Sequence, residues 1–208
     1  MTYRTIVGID PSLTSTGIAI KDHEGHIHRE RIRSTGKKTD TWDMRGARIK
    51  RLAETIVGHV PSNSLVIIES PSYGSISTSA HDRSGLWWAI HQKLIAKGCD
   101  IVPATPAQRM MYATGKGGGK DAGKDMVLAQ TIRRYPQIDI TGNDLADAVI
   151  FLAIGCRLNG QPLEDSLPQT HLNALNKLAL PETVPTHAPG RVAARAGVTS
   201  PAPVGALL

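Results

Sequence analysis

Two cysteines, one phenylalanine and an aromatic content of 4% are what this 208-residue chain holds least of. Cys99 and Cys156 stand far apart and show no C-x-x-C spacing. That argues against a disulfide scaffold and places both thiols, reduced, in a cytosolic core. No apolar run is long enough to span a bilayer, and the opening MTYRTIVGID lacks the long apolar core of a signal peptide. Internal repeats are absent too. Acid is the scarcer charge: 18 Asp+Glu face 24 Lys+Arg, a formal net charge of +6 and a pI near 9.5. A basic balance points to an anionic partner, nucleic acid first. The length suits one domain with an extension, and a hydrophobic content of 40% supplies a core.

The stretch IVGIDPSLTSTGIAI, residues 6–20, organises what is present. Ile6, Val7 and Ile9 are β-prone and apolar, so the spacing predicts a strand buried on both faces. Asp10 ends it, where a desolvated charge is costly unless it is paired or metal-bound. Pro11 removes a ladder donor, residues 12–16 supply hydroxyls, and 17–21 resume as a strand. Asp10 alone reads equally as a turn opener, since Asp-Pro is a common turn start. Three further carboxylates tip the balance toward a site.

A turn at 22–25 leads to an alternating third strand at 26–33, closing an antiparallel meander. His26 and His28 share one face of it in an H-x-H pair, with no third ligand nearby in sequence. Residues 34–41 form a polar, Lys-bearing loop. A helix is predicted from Trp42 to His59 on the spacing of Ile49, Leu52, Ala53, Ile56 and Val57. Arg45, Arg48, Lys50 and Arg51 fall on or near its opposite, solvated side. The run Leu65–Ile68 repeats the first pattern, a buried strand ending in a carboxylate, Glu69. Sites in open α/β sheets gather at such carboxyl ends. A polar stretch, 75–84, is expected to end as the cap of a helix over 85–98, in which Trp87-Trp88 packs in the core or across a subunit interface. Residues 99–103 form a further strand, and Thr105-Pro106 opens a helical turn bearing Arg109.

The loop TGKGGGKDAGK, 114–124, is basic and glycine-rich. It nearly matches a nucleotide-binding P-loop, but Asp125 stands where Ser or Thr must hold magnesium and no buried strand leads into it. Lys116, Lys120 and Lys124 beside a helix start near 121–135 are better suited to nucleic-acid phosphate. A merely mobile surface loop is the other reading. Thr141 to Asp144 resembles a capping box opening an apolar helix, 144–158, whose Asp144 and Asp147 are neighbours on one side. Past Asn159 the composition changes: seven of the 13 prolines lie in 161–208. A short helix is expected over 170–180 and disorder over 181–208. The expected domains are therefore 1–160 and a Pro/Ala-rich tail, 161–208.

Asp10, Glu69, Asp144 and Asp147 thus sit at two strand ends and one helix start. Clustered carboxylates repel, and a divalent cation is the usual counter-charge. An all-oxygen donor set points to Mg2+ or Mn2+. Two such ions about 4 Å apart can bind both sides of a phosphodiester.

The order strand–Asp, meander, helix, strand–Glu, helices, Asp-x-x-Asp resembles the ribonuclease H-like fold, and more closely the RuvC family of Holliday junction resolvases. The matching pieces are GIDPSLTSTG at 8–17, VIIES at 66–70, GKDMV at 123–127 and DLADAV at 144–149, and the resemblance covers residues 4–158. It implies an α/β fold, a ribonuclease H-like mixed sheet of antiparallel meander plus parallel strands flanked by helices, with a mostly disordered C-terminal tail. It implies a homodimer that binds branched DNA, nicks four-way junctions in pairs and leaves 5′-phosphate and 3′-hydroxyl ends. Asp10 would bridge two metal ions, Glu69 would serve one of them, and Asp147 with Asp144 would complete the other. Lys124, or Lys120, would be the catalytic-loop lysine, Arg109 a second basic position and Tyr73 the aromatic inserted at the junction. A cytoplasmic enzyme follows, bacterial or bacteriophage-encoded, with no membrane and no nucleotide cofactor.

Three readings compete. A related nuclease could act on flaps, forks or other branched DNA. An actin-like ATP-binding domain shares the look of GIDPSLTSTG, but the chain is short for two such lobes. A non-catalytic junction binder would gain from losing the four acids, all of which are present.

Overall fold

The computed structural model describes residues 2–71, 79–119 and 122–181. Its sheet has five strands: β1 Ile6–Asp10, β2 Ser15–Lys21, β3 Ile27–Arg33, β4 Leu65–Glu69 and β5 Asp100–Ala104, in the order β3-β2-β1-β4-β5. The three meander strands pair antiparallel, while β1, β4 and β5 run parallel. The mixed sheet that the resemblance implied is therefore present. Six helices accompany it among the described residues: α1 Trp42–His59, α2 Ala80–Ala96, α3 Pro106–Thr114, α4 Lys124–Arg134, α5 Asn143–Leu158 and the short α6 Gln169–Leu172.

Alternation along the strands sorts their side chains onto two cores. Val7, Ile9, Val66 and Ile68 pack with Leu52, Ile56, Leu86, Trp87, Ile90 and Leu94 of α1 and α2. Ile6, Leu65 and Ile67 point the other way, into a core built round α5 with α3 and α4. Burial on both faces is why β1 and β4 read as continuous apolar runs rather than alternating ones. By the same two-residue period, Asp10 and Glu69 belong to the α5 face. The register Ile9↔Ile68 puts these two strand ends side by side.

α5 is buried from Leu145 through Cys156 and lies against the sheet backbone itself. A Cβ at Gly8 would sit 2.2 Å from the Ala148 carbonyl oxygen and 2.3 Å from the Leu152 nitrogen, and one at Gly17 would sit 2.0 Å from the Asp144 carbonyl oxygen. Only glycine permits this approach, and it sets the height at which the helix presents its two aspartates over the strand ends.

Several local expectations change. α2 begins at Ala80, because Ala-His-Asp-Arg-Ser is compatible with helix despite its polarity, so Ser84 is interior rather than a cap. α5 begins after Gly142 with no side-chain cap, so the box at Thr141 is not formed. The capping box that does form is Thr105 with Gln108, opening α3 with Pro106 at its first position. Trp87 is buried and Trp88 about half exposed. Cys99 and Cys156 are buried free thiols. No described helix is long and apolar enough to cross a membrane.

The expected boundary at 160 falls just before a segment that packs on the α5 side of the sheet. Leu163, Leu167, Ala174, Leu175, Leu178 and Leu180 join the α5-side cluster. Glu164 is buried and accepts from the Tyr112 hydroxyl at 3.0 Å, the Arg157 guanidinium at 2.9 Å and the Tyr135 hydroxyl. The short helix foreseen over 170–180 is α6 followed by a 3-10 turn, Asn173–Leu175. The tail beyond 181 lies outside the described residues.

Candidate active site

Three carboxylates from three elements converge on one guanidinium. Arg109, on the first turns of α3, is 7% exposed. Its Nη1 donates to Glu69 Oε2 at 2.8 Å and to Asp147 Oδ2 at 2.7 Å, and lies 4.0 Å from Asp10 Oδ1. Asp10 ends β1, Glu69 ends β4 and Asp147 stands on α5. Glu69 is steadied through its backbone, since its carbonyl accepts the Trp87 indole N–H at 2.9 Å. The turn after Asp10 is knitted by its own hydroxyls: Thr16 Oγ1 accepts from the Ser12 N–H at 3.0 Å and donates to the Ser12 carbonyl at 2.9 Å.

Burial dominates the electrostatics of the three acids. It pushes Asp10 well above the usual carboxylate range, helped by the charges of Glu69 and Asp147 and opposed by Arg109 and Lys124. Burial raises Glu69 against the same two cations. Burial also raises Asp147 to about 6, with Arg109 pulling the other way. Desolvated, mutually repelling carboxylates with elevated proton affinity are a mark of functional sites.

Asp144 stands apart from this trio. Burial works against its ionisation, but the Ser15 hydroxyl, Arg31 and the Leu145 N–H together hold it below the usual range. Arg31 Nε lies 2.7 Å from Asp144 Oδ2, and Ser15 Oγ donates to the same oxygen. Arg31 reaches it because of the strand register. Asp10 pairs with Gly17 and Gly17 with Arg31, so all three lie in one row on the α5 face. Gly17, lacking a side chain, leaves the gap that the Asp144 end of α5 occupies. Arg31 went unread in the sequence, although its place in the alternating run HRERIR signals the face it shares with Arg29 and Arg33.

Lys124 opens α4 and is exposed, and its charge acts on Asp10, Glu69 and Asp147. Lys116 follows α3, its N–H bonded to Thr114 Oγ1 at 3.2 Å. Lys120 and Tyr73 lie outside the described residues. On the solvated face of α1, Arg48 is not loose: it donates to Ser34 Oγ at 3.0 Å and to the Leu13 carbonyl, tying down the turn beside Asp10. Arg45 makes a forked pair with Asp82 at 2.9 and 2.7 Å. An open cleft of about 620 Å³ runs from Ser12 and Thr14 past Lys37, Lys38, Arg45 and Arg48.

The donors around Arg109 fit a hard divalent cation. They are carboxylate oxygens alone, already gathered about a positive group. Among the described residues, the group of three whose ligand atoms all lie within 4.8 Å of one another is a different one, Asp22, Glu24 and His26 at the β2–β3 hairpin. Asp22 has a structural task there: its Oδ1 accepts from the Glu24 and His26 N–H groups at 2.9 Å, closing the turn. His28 pairs with the same aspartate at 2.9 Å but lies outside that group.

A five-stranded mixed sheet with acids at the ends of two neighbouring strands, faced by further acids on the helix packed across them, is a ribonuclease H-like α/β fold. Within that class the chain has the fold of RuvC. It superimposes on a Thermus thermophilus RuvC structure with a TM-score of 0.53 and 18% identity, covering 76% of this chain and 97% of that one. A T. thermophilus RuvC in complex with a Holliday junction substrate gives 0.51 and 17%, covering 72% and 90%. No family model and no curated protein sequence matches.

Proposed function

We propose that this protein is a divalent-metal-dependent endonuclease that resolves four-way DNA junctions by paired symmetric nicks, working as a homodimer in the cytoplasm. One observation carries the reading. Asp10, Glu69 and Asp147, from β1, β4 and α5, meet around a single buried cation at a cost in desolvation that a purely structural or binding role does not need. The RuvC fold, one example of which is bound to a Holliday junction, supports the choice of substrate.

Asp10, Glu69 and Asp147 would hold the metal, with Asp144 one helical turn away completing the set. Bound divalent ions would supply the orientation of the attacking water and the neutralisation of the leaving oxygen. Asp10, at the lip of the sheet beside the end of β4, would be one of these donors. Lys124 would sit against the scissile phosphate and stabilise the charge that grows on it during attack. Lys37 and Lys38 along the cleft, with Lys116 and Lys120 on the basic loop, would follow the DNA backbone. Tyr73 would be the aromatic inserted at the branch. The products would carry 5′-phosphate and 3′-hydroxyl ends.

The test compares a mobile four-way junction, a flap and a plain duplex, each with Mg2+ or Mn2+ and with Asp147→Asn as control. Preferential cutting of the junction, lost in the variant, is expected. Preferential cutting of flaps or forks would move the function to general branch processing. Junction binding with no cutting in either metal would make the protein a binder.

A further inference from the structure

The geometry points to a second role for Arg109: it is a counter-ion of the carboxylate site, and it must leave for a divalent ion to enter. The inference rests on the nuclease reading above. Its first ground is position. One nitrogen, Nη1, lies 2.8 Å from Glu69 Oε2 and 2.7 Å from Asp147 Oδ2. A hard divalent ion shared by those two oxygens would sit about 2.0–2.6 Å from each, which is nearly the point the nitrogen already fills. The two cations are mutually exclusive there on sterics, and their like charge adds to the exclusion.

The second ground is how the arginine is satisfied. Guanidinium offers five N–H donors in a rigid fork. Both hydrogen bonds to the acids come from Nη1, while Nε is buried without a hydrogen-bond partner. An arginine built only as a structural ion pair would present the fork to one carboxylate, as Arg45 does to Asp82. Arg109 instead spreads one nitrogen over two acids, with a third 4.0 Å away, and leaves its buried Nε unmet. A third ground is spacing. Among the described residues the acids of this site are not drawn within 4.8 Å as a group of three, and the guanidinium lies between two of them. Metal affinity is therefore set partly by the ion pairs that entry breaks. The released guanidinium becomes available to a phosphate, the other anion of the proposed complex.

Mn2+ and Mg2+ binding to the full chain is measured by titration calorimetry without DNA, in wild type, Arg109→Gln and Asp10→Asn. Arg109→Gln is expected to bind at least tenfold more tightly than wild type, and to melt at a lower temperature in EDTA with recovery on adding Mn2+. Equal or weaker affinity in a cooperatively melting Arg109→Gln would overturn the role while leaving the nuclease reading intact, provided that Asp10→Asn loses the metal. Metal binding that is undiminished in Asp10→Asn would overturn the nuclease reading itself. A second measurement holds if Arg109→Gln does not fold. The Arg109 Nε–H resonance of 15N-labelled wild type, assigned by its loss in Arg109→Lys, is expected to shift as Mg2+ saturates the site. An unmoved resonance at saturation would overturn the displacement.

Discussion

Gly8→Ala tests whether the contact between α5 and β1 sets the geometry of the candidate active site. An added Cβ would lie 2.2 Å from the Ala148 carbonyl oxygen, 2.3 Å from the Leu152 nitrogen and 2.9 Å from the Phe151 carbonyl carbon. Carbon and carbonyl oxygen approach to about 3.3 Å at closest, so helix and strand must separate by roughly 1 Å. Neither side can yield locally, since all three opposing atoms are backbone. Overpacking of this kind costs about 1–3 kcal/mol, and two rigid backbones put it at the upper end. Out of a typical margin of about 5–15 kcal/mol, the variant folds but is weakened. Asp147 adjoins Ala148 and moves with it, and a displacement of about 1 Å at a reacting centre can cost about 100-fold in rate. Urea unfolding and junction cleavage on the same preparation read both effects. The control is Gly46→Ala on α1, where an added Cβ meets nothing within 4 Å; it should be neutral or gain up to about 1 kcal/mol from helix propensity. Wild-type stability and rate in Gly8→Ala would refute the claim that this contact sets the helix height.

Other perturbations separate the remaining parts. Glu164→Ala strands the Arg157 charge and the hydroxyls of Tyr112 and Tyr135 and should cost about 3–5 kcal/mol in urea unfolding; a loss below about 1 kcal/mol would mean that 161–181 is an appendage. Asp147 titrates at about 6 in the native state, above its unfolded value, so the unfolded chain loses this proton first as pH rises. In EDTA, wild type should therefore lose stability relative to Asp147→Asn between about pH 4 and 6, by about 3 kcal/mol, and chemical denaturation across that range reads it; a flat difference would contradict the assignment. Lys124→Ala should slow cleavage at saturating junction about 100-fold with little change in affinity measured by anisotropy. If affinity alone falls, Lys124 is only a phosphate contact.

The strand ends were legible because burial on both faces writes an unbroken apolar run, and a carboxylate at its end is conspicuous. β1 and β4 each show this, as α5 shows two aspartates against an otherwise apolar helix. Arg109 was legible only as a basic residue near the site. Its place among the acids depends on 38- and 40-residue separations that no local pattern encodes. Arg31 depends on a ladder row crossing two strand pairs, and the Glu164 network on one acid in a proline-rich segment whose composition resembles a linker. The start of α2 was hidden because its first turn is polar, and polarity alone does not distinguish an exposed helix end from a loop.

The most direct test of the central claim is to label each strand of a mobile four-way junction in turn and map the nicks made in Mg2+ or Mn2+ by wild type and by Asp10→Asn. Paired nicks at symmetric positions in opposing strands, abolished in Asp10→Asn while junction binding persists, are the predicted result. No cleavage by wild type in either metal, or cleavage that survives Asp10→Asn, would contradict it.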